Sequence, residues 1–177
     1  MIPKRFGTVV EGHVYRSGQI HQALIESVLR EHHIGRVVSL SPFQADNPEH
    51  VAEDQAARRL GIEDDHYPLR GDGTGDIESY VEALSAMIQA TRGGPPVLVH
   101  CGAGATRTGA AVAWYRVLVQ GWSPGRAVEE MIDYDWKPEH ILPLPYMNAY
   151  TEVLARALFE RGLIYRVPDL LPLFTLP

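Results

Sequence analysis

The feature that most constrains the fold is an apolar run that passes through a glycine-rich loop straight into a second apolar run. Residues 95–120 read PPVLVHCGAGATRTGAAVAWYRVLVQ. The first run has the character of a strand buried on both faces, as in a parallel sheet. The second run is apolar nearly all round, which is typical of a helix that other elements cover on every side. The stretch therefore predicts the interior of a layered α/β fold.

The rest of the chain alternates between strand-like and helix-like segments. Helical spacing of apolar residues, Pro and Gly at segment ends, and a capping Asp76 indicate helices, whereas short apolar runs indicate strands. The predicted strands are 8–17, which is either one irregular strand or a pair of short strands, and 35–41, 62–69 and 95–100. The predicted helices are 21–33, 48–61, 76–92, 108–120, 123–134 and 146–161. This alternation predicts an α/β protein whose central, largely parallel sheet of four to five strands is flanked by helices.

Length and composition indicate one domain and a short tail. A chain of 177 residues with 45% apolar and 21% charged residues is long enough for a single buried core. We expect the domain to span residues 1–162. Residues 163–177 are apolar and contain Pro168, Pro172 and Pro177, so we expect a non-helical tail that packs on the domain.

The net charge and the number of cysteines indicate which binding partners and which cellular compartment to expect. The net charge of −6 argues against binding to nucleic acid or to an anionic membrane, so any attraction for an anionic substrate must be local. The single cysteine cannot form an internal disulfide, and no apolar run is long enough for a signal peptide or a membrane span. These features predict a cytoplasmic protein with a free thiol, and we expect a monomer.

The glycine-rich segments partly match three known loop patterns, and each match is excluded by one feature of the sequence. A dinucleotide loop needs a third glycine where this chain has Arg107. A nucleotide phosphate loop needs lysine where the chain has Ala110. The GWSPG stretch at 121–125 has the spacing of a serine-nucleophile turn, but a helix precedes it instead of a strand. Ser123 and Pro124 are better explained as the start of a helix.

The spacing that remains is a cysteine, five residues and an arginine, from Cys101 to Arg107. Five residues can wrap a tight loop whose backbone N–H groups point inward, and Gly102 and Gly104 allow the φ values that such a loop needs. The next helix adds its N-terminal N–H groups, and the guanidinium can bind two phosphoryl oxygens at once. A lone cysteine after an apolar strand is often only a small buried side chain. These features together nevertheless indicate a phosphate site with a thiol at its base.

The segment VHCGAGATRTG resembles the signature of the cysteine-dependent protein tyrosine and dual-specificity phosphatases, HCxxGxxR followed by Ser or Thr and then Gly. YRSGQ at 15–19 and HYPLRGDGTGDIESY at 66–80 resemble the small atypical dual-specificity phosphatases, and residues 107–131 resemble their bacterial members. The likeness runs from about residue 14 to about residue 160. It implies the three-layer fold of that superfamily, a phosphocysteine intermediate, and neither a metal nor a cofactor.

The resemblance also implies a role for each matching residue. Cys101 is the expected nucleophile, and Thr108 is the expected donor to its sulfur when the intermediate breaks down. His100 is expected to support the loop through hydrogen bonds to the backbone. The phosphoryl group is expected to bind to Arg107 and to the loop residues Gly102, Ala103, Gly104, Ala105 and Thr106.

The leaving group needs a proton donor. In the family this donor is an aspartate in the loop that follows the preceding strand, which here is the predicted strand 62–69. Asp64 and Asp65 lie in or before that strand, and Asp76 has the position of a helix cap. Asp72 lies between two glycines, in a loop able to close over a substrate. We predict Asp72 as the general acid and keep Asp76 as the alternative.

These assignments predict a cysteine-based phosphatase that hydrolyses phosphate monoesters. Positions 102, 103, 105 and 106 carry Gly, Ala, Ala and Thr, whereas relatives that act on inositol lipids or polyphosphates tend to carry Lys or Arg inside this loop. Phosphotyrosine in a protein, with or without phosphoserine and phosphothreonine, is the expected substrate. The alternatives are a small-molecule phosphatase, for instance of inositol phosphates, and a phosphate-binding protein with little activity.

Overall fold

The computed structural model describes residues 2–177, so the first residue of the predicted domain lies outside the described part of the chain. Five strands and six helices alternate along it. The strands are β1 (Gly7–Val10), β2 (Val14–Gly18), β3 (Arg36–Ser39), β4 (Glu63–His66) and β5 (Val97–Cys101). The helices are α1 (Ile25–Glu31), α2 (Pro48–Leu60), α3 (Ile77–Ala90), α4 (Thr106–Leu118), α5 (Pro124–Asp133) and α6 (Leu144–Glu160).

The strands form one sheet in the order β1-β2-β5-β3-β4. β1 pairs antiparallel with β2, and every other pair is parallel, which confirms the predicted α/β class and its largely parallel sheet. β5 is the central strand, and its last residue, Cys101, lies opposite Gly18 of β2. The carboxyl ends of three parallel strands therefore meet around the cysteine, which is where open α/β sheets place their ligand sites.

Helices cover both faces of the sheet. Val97 and Val99 of β5 point into a core shared with α3, α4, α5 and α6. Leu98 points to the opposite face, into a second core shared with α1 and α2. Successive residues of a strand alternate between faces, so a strand with a helical layer on each side must be apolar throughout. This arrangement explains the unbroken apolar run that precedes the cysteine.

Several helix ends follow from local sequence. The Asp76 carboxylate accepts a hydrogen bond from the Glu78 N–H at 3.0 Å and caps α3, as predicted. Ser123 caps α5 through the Arg126 N–H at 3.3 Å, so the GWSPG stretch is a helix start in the structure. The first helix is shorter than the predicted 21–33, because the residues before Ile25 form turns without a capping side chain. No helix among residues 2–177 is long and apolar enough to cross a membrane.

The chain after α6 runs over the domain without regular structure. Gly162 ends the helix with φ of +69°, and Arg92 donates hydrogen bonds to the carbonyl oxygens of Gly162 and Leu163 at 3.0 and 2.9 Å. Near the end of the tail, Phe174 is 1% exposed and packs edge-on against Trp114. The Asn148 side chain bonds both the N–H and the carbonyl of Phe174, at 2.7 and 2.9 Å. Residues near both ends of the tail therefore make specific contacts with the domain.

Replacement of Phe174 by Ala tests how much this tail contributes to stability. Emptying a buried aromatic site costs about 3–5 kcal/mol, so we expect F174A to lower the free energy of unfolding by that amount. Leu170 in the same tail is 89% exposed, and L170A is the matched control, with an expected change within about 0.5 kcal/mol. Urea denaturation of both variants measures the difference. Equal stabilities would mean that the tail does not contribute to the fold.

Candidate active site

The candidate site is the loop between β5 and α4. The strand ends at Cys101, residues 102–105 form bends, and the helix begins at Thr106. The Cys101 side chain is almost fully buried, with 1% of its surface exposed. The loop therefore wraps a buried sulfur at the carboxyl edge of the central strand, and the amino end of α4 points toward it.

Gly104 sets the shape of this loop. Its φ of +76° lies in the left-handed region, and its N–H donates to the Cys101 Sγ at 3.2 Å. A Cβ on Gly104 would lie 2.4 Å from the Gly18 nitrogen of β2, a distance that backbone atoms cannot accept without moving. Both the backbone conformation and the close approach to β2 require glycine here.

The amide groups of the loop do not all face the same way. The Gly102 N–H donates to the Ser41 Oγ at 3.2 Å, and the Gly102 carbonyl accepts from the Gln19 N–H at 3.1 Å. The prediction that every N–H of the loop points inward is therefore wrong for Gly102, because neighbouring elements hold this first loop residue by both of its backbone groups. The N–H groups of Ala103 and Ala105 donate no hydrogen bond within residues 2–177. Together with the first amides of α4 they can receive phosphoryl oxygens.

Arg107 lies on the first turn of α4, with its guanidinium held over the loop. Its Nη1 donates to the carbonyl oxygens of Leu40 and Leu69 at 3.2 and 3.3 Å. Its Nη2 lies 3.5 Å from the place that a Cβ on Gly102 would occupy. Two carbonyls thus fix one edge of the planar group and leave the other directed at the loop, the geometry needed to bind two oxygens of one phosphate.

Opposing effects act on the thiol of Cys101. Burial raises its pKa, but the Arg107 charge, the neighbouring Thr108 and the hydrogen bond from the Gly104 N–H outweigh burial, so the net pKa is below the usual value. The Thr108 hydroxyl is fully buried beside the sulfur, although it does not meet hydrogen-bond geometry with any atom of the described residues. The site therefore favours a thiolate despite excluding water from it.

A second arginine supports the loop from behind. Arg16 of β2 is 1% exposed, and its Nη2 donates to the Gly104 carbonyl at 2.9 Å. The guanidinium stacks on the Tyr134 ring at 3.7 Å, while its Nε and Nη1 have no partner within the described residues. Burial is the main effect that lowers the pKa of Arg16 to about 10. The sequence gave no sign of Tyr134 as a partner of Arg16, because the two residues lie far apart along the chain.

His100 makes a different contact from the one predicted. Its side chain is fully buried, and its Nε2 lies 3.0 Å from the Glu53 Oε1, whereas its Nδ1 has no partner within residues 2–177. The prediction that the His100 ring bonds to backbone is therefore wrong. Its Nε2 contacts the buried Glu53 carboxylate of α2 instead. Glu53 was missed by the sequence analysis. Its position on the inward face of α2, with Ala56 and Ala57, was the available signal.

The predicted general acid lies on an anchored loop. Asp72 is exposed, and its Oδ1 accepts hydrogen bonds from the N–H and the hydroxyl of Thr74 at 2.9 and 2.7 Å. These bonds, the backbone one first, lower the pKa of Asp72. The hydroxyl of the buried Tyr80 donates to the Gly73 carbonyl at 2.6 Å and holds the loop in place. Asp76 is occupied as the cap of α3.

Two clefts flank the loop. One, of about 390 Å³, brings Asp72 together with Thr106 of the loop, and its lining residues are Gly71, Asp72, Thr106, Glu139, His140, Ile141 and Leu142. The other, of about 320 Å³, opens on Gly102 and Arg107, and its lining residues are Gln19, Ser41, Pro42, Gln44, Asn47, Glu49, His50, Gly102 and Arg107. No cluster of metal-binding side chains occurs among residues 2–177. The structure thus brings Asp72 and the loop to one opening.

Comparison with known proteins gives matches in sequence. The tyrosine phosphatase family matches the chain over residues 1–157. The dual specificity protein phosphatase TpbA of Pseudomonas aeruginosa is 42% identical over 64 residues, which cover 36% of this chain and 28% of TpbA. The matched segment is therefore less than a third of the length of that relative.

Solved structures match a larger part of the chain. The crystal structure of P. aeruginosa TpbA superimposes with a TM-score of 0.61 and 26% identity, covering 77% of this chain and 78% of that one. The core catalytic domain of the PP-IP phosphatase SIW14 from S. cerevisiae gives a TM-score of 0.74 and 20% identity, covering 93% and 97%. The second likeness is one of fold alone.

Replacement of Gly104 by Ala tests the shape of the loop. We expect G104A to lose more than about 2 kcal/mol of stability or to displace the loop from β2, because the new Cβ has no space and the φ is unfavourable. G102A is the control in the same loop, since a Cβ there would lie 3.5 Å from the Arg107 Nη2, an ordinary contact distance that requires no movement. Thermal unfolding and vanadate binding measure both effects. A G104A variant as stable and as tightly binding as G102A would contradict this account of the loop.

Proposed function

The chain belongs to the tyrosine phosphatase family, and we propose that it hydrolyses phosphate monoesters through a phosphocysteine formed on Cys101, with phosphotyrosine in proteins as its substrate. One observation carries the proposal: a buried thiol with a lowered pKa shares a tight loop with an arginine already held over it. The loop offers amide N–H groups and a guanidinium to an anion and a sulfur nucleophile to its phosphorus.

In the first step, the Cys101 thiolate attacks phosphorus opposite the ester oxygen. A sulfur–phosphorus bond forms, the bond from phosphorus to the ester oxygen breaks, and the departing oxygen takes a proton from Asp72. Arg107 and the loop amides hold the three remaining oxygens while charge redistributes over them. Asp72 must be protonated for this step. The approach of the phosphate dianion raises the pKa of a nearby carboxyl and so offsets the effect of Thr74.

In the second step, water attacks the phosphocysteine. The Asp72 carboxylate takes a proton from the water, an oxygen–phosphorus bond forms, and the sulfur–phosphorus bond breaks to release inorganic phosphate. The Thr108 hydroxyl donates to the emerging thiolate and stabilises it as the leaving group. The lowered pKa of the thiol helps both steps, because it increases the thiolate fraction at the start and makes the sulfur a better leaving group at the end.

The surroundings of the loop support a substrate with one phosphate on an aryl group. The cleft that contains Asp72 has an apolar wall of Ile141 and Leu142 and a second acidic residue, Glu139. An aryl ring suits that wall, whereas the two carboxylates oppose further phosphates. In the other cleft, Arg107 is the one lysine or arginine among the lining residues, and it is committed to the reacting phosphate. Phosphotyrosine meets these conditions better than a polyphosphorylated ring.

Hydrolysis without added metal tests the proposed reaction. We expect the purified chain to hydrolyse p-nitrophenyl phosphate in EDTA, with inhibition by vanadate, and we expect C101S to retain less than about one thousandth of that activity. A folded wild-type chain with no turnover between pH 5 and 7.5 would favour a phosphate-binding protein.

A substrate panel then tests the choice of substrate. Phosphotyrosine peptides should give a kcat/KM at least about tenfold above phosphoserine peptides and inositol phosphates, since the aryl ester fits the cleft and its oxygen departs more easily. A preference for inositol phosphates over these peptides would instead favour the small-molecule alternative.

The general acid is tested by varying the leaving group. D72N should slow alkyl or phenyl phosphate by about 10²–10⁴-fold and an activated ester such as difluoromethylumbelliferyl phosphate far less, because a good leaving group needs no proton. D76N is the matched control: the asparagine oxygen can still accept the Glu78 N–H and cap α3, so we expect stability within about 0.5 kcal/mol of the wild type and no dependence on the leaving group. A leaving-group effect in D76N but not in D72N would transfer the role to Asp76.

A further inference from the structure

Glu53 is a buried carboxylate whose contacts lead to the candidate site. It lies on α2 with 1% of its surface exposed and makes no ion pair with lysine or arginine among the described residues. Its Oε1 lies 3.0 Å from the His100 Nε2, and its Oε2 accepts a hydrogen bond from the Gln19 Nε2 at 3.1 Å. An ionised carboxylate removed from water is costly unless a cation and hydrogen bonds compensate it. His100 is the group placed to be that cation.

The charges around His100 come from several elements. Glu53 and His50 face it from α2, and Asp64 faces it from β4. Cys101 is its neighbour in the chain, and the charges that act on Cys101 are Arg107 of α4 and Arg16 of β2. Burial lowers the pKa of His100, but Glu53 first, and then Cys101 and Asp64, raise it by more. The surroundings of the ring therefore favour the imidazolium.

Gln19 connects the same carboxylate to the phosphate loop. Its backbone N–H donates to the Gly102 carbonyl at 3.1 Å while its side chain donates to Glu53. Glu53 is therefore linked to the loop on two sides, through Gln19 to Gly102 and through His100 to Cys101. No part of the phosphate mechanism described above uses Glu53, yet the fold places a charge there at a cost in desolvation.

We propose that Glu53 is a positioning residue for the nucleophile, which acts through His100 by holding the ring oriented and protonated beside Cys101 and so favours the thiolate. The inference rests on the proposed function in one respect, that the Cys101 thiolate is the reacting group. His100 and Cys101 are consecutive residues of β5, so their side chains leave the strand on opposite faces, yet the charge of Cys101 acts on the buried ring and raises the pKa of His100. Because this coupling is reciprocal, a protonated ring favours the Cys101 thiolate.

The variant E53Q tests this directly, since glutamine keeps the size of the side chain and one acceptor oxygen and loses the charge. The rate of Cys101 alkylation by iodoacetamide, measured against pH, gives the thiol pKa without any substrate. We expect that pKa to rise in E53Q, with alkylation at pH 6 slower by about three- to tenfold. D54N is the control: it removes the same charge from the adjacent residue, which is ion-paired to Arg58 at the surface. Its alkylation profile should match the wild type.

The double variant E53Q/H100N shows whether the effect passes through His100. H100N alone should slow alkylation, and adding E53Q should change it no further, because the two residues act as one unit. An E53Q profile identical to that of D54N would overturn the inference, as would full additivity of E53Q and H100N. A loss of thermal stability alone would indicate a merely structural role for Glu53.

Nuclear magnetic resonance of the wild-type chain labelled with ¹⁵N-histidine tests the same idea without a variant. We expect the His100 ring to carry a proton on both nitrogens at pH 6, and a neutral ring at that pH would overturn the inference. These readings do not depend on catalysis. Failure of the wild type to hydrolyse any phosphate ester would reject the proposed function while leaving the alkylation result standing.

Discussion

The structure depends on the stabilisation of a thiolate that is shielded from water. Cys101 is 1% exposed, and burial by itself would keep its sulfur protonated. The Arg107 charge and the N–H of Gly104 reverse that effect. Both groups must be placed accurately, because a hydrogen-bond donor or a charge without a partner is costly in a site that excludes water. The same placement suits a phosphate dianion, so under the proposed function one arrangement serves the nucleophile and its substrate.

This placement explains why distant parts of the chain converge on five loop residues. β2 contributes Gly18 against the left-handed Gly104 and the Arg16 guanidinium on its carbonyl. The segment after β3 supplies Ser41 and the Leu40 carbonyl, and α2 supplies Glu53. The central position of β5 makes this possible, since its carboxyl end is adjacent to the ends of two parallel strands. A surface loop with the same sequence would lack these supports.

The sequence was sufficient for features encoded locally. The apolar run before Cys101 predicted a strand covered on both faces, and Asp76 predicted the start of α3. It was insufficient for contacts that depend on tertiary packing. Glu53 meets His100 across 47 positions, and no periodicity shows that a glutamate on the inner face of α2 will find a histidine. The Gly102 N–H likewise donates to the Ser41 hydroxyl, because the segment after β3 packs against the loop after β5.

The central claim is that phosphate is transferred to Cys101 during turnover. Rapid denaturing quench of the wild-type chain during hydrolysis of p-nitrophenyl phosphate, followed by mass spectrometry of its peptides, tests the claim directly. The account predicts one phosphoryl group on the peptide that contains Cys101, and none in C101S. Steady turnover with an unmodified Cys101 peptide, or with the phosphoryl group on another residue, would contradict it.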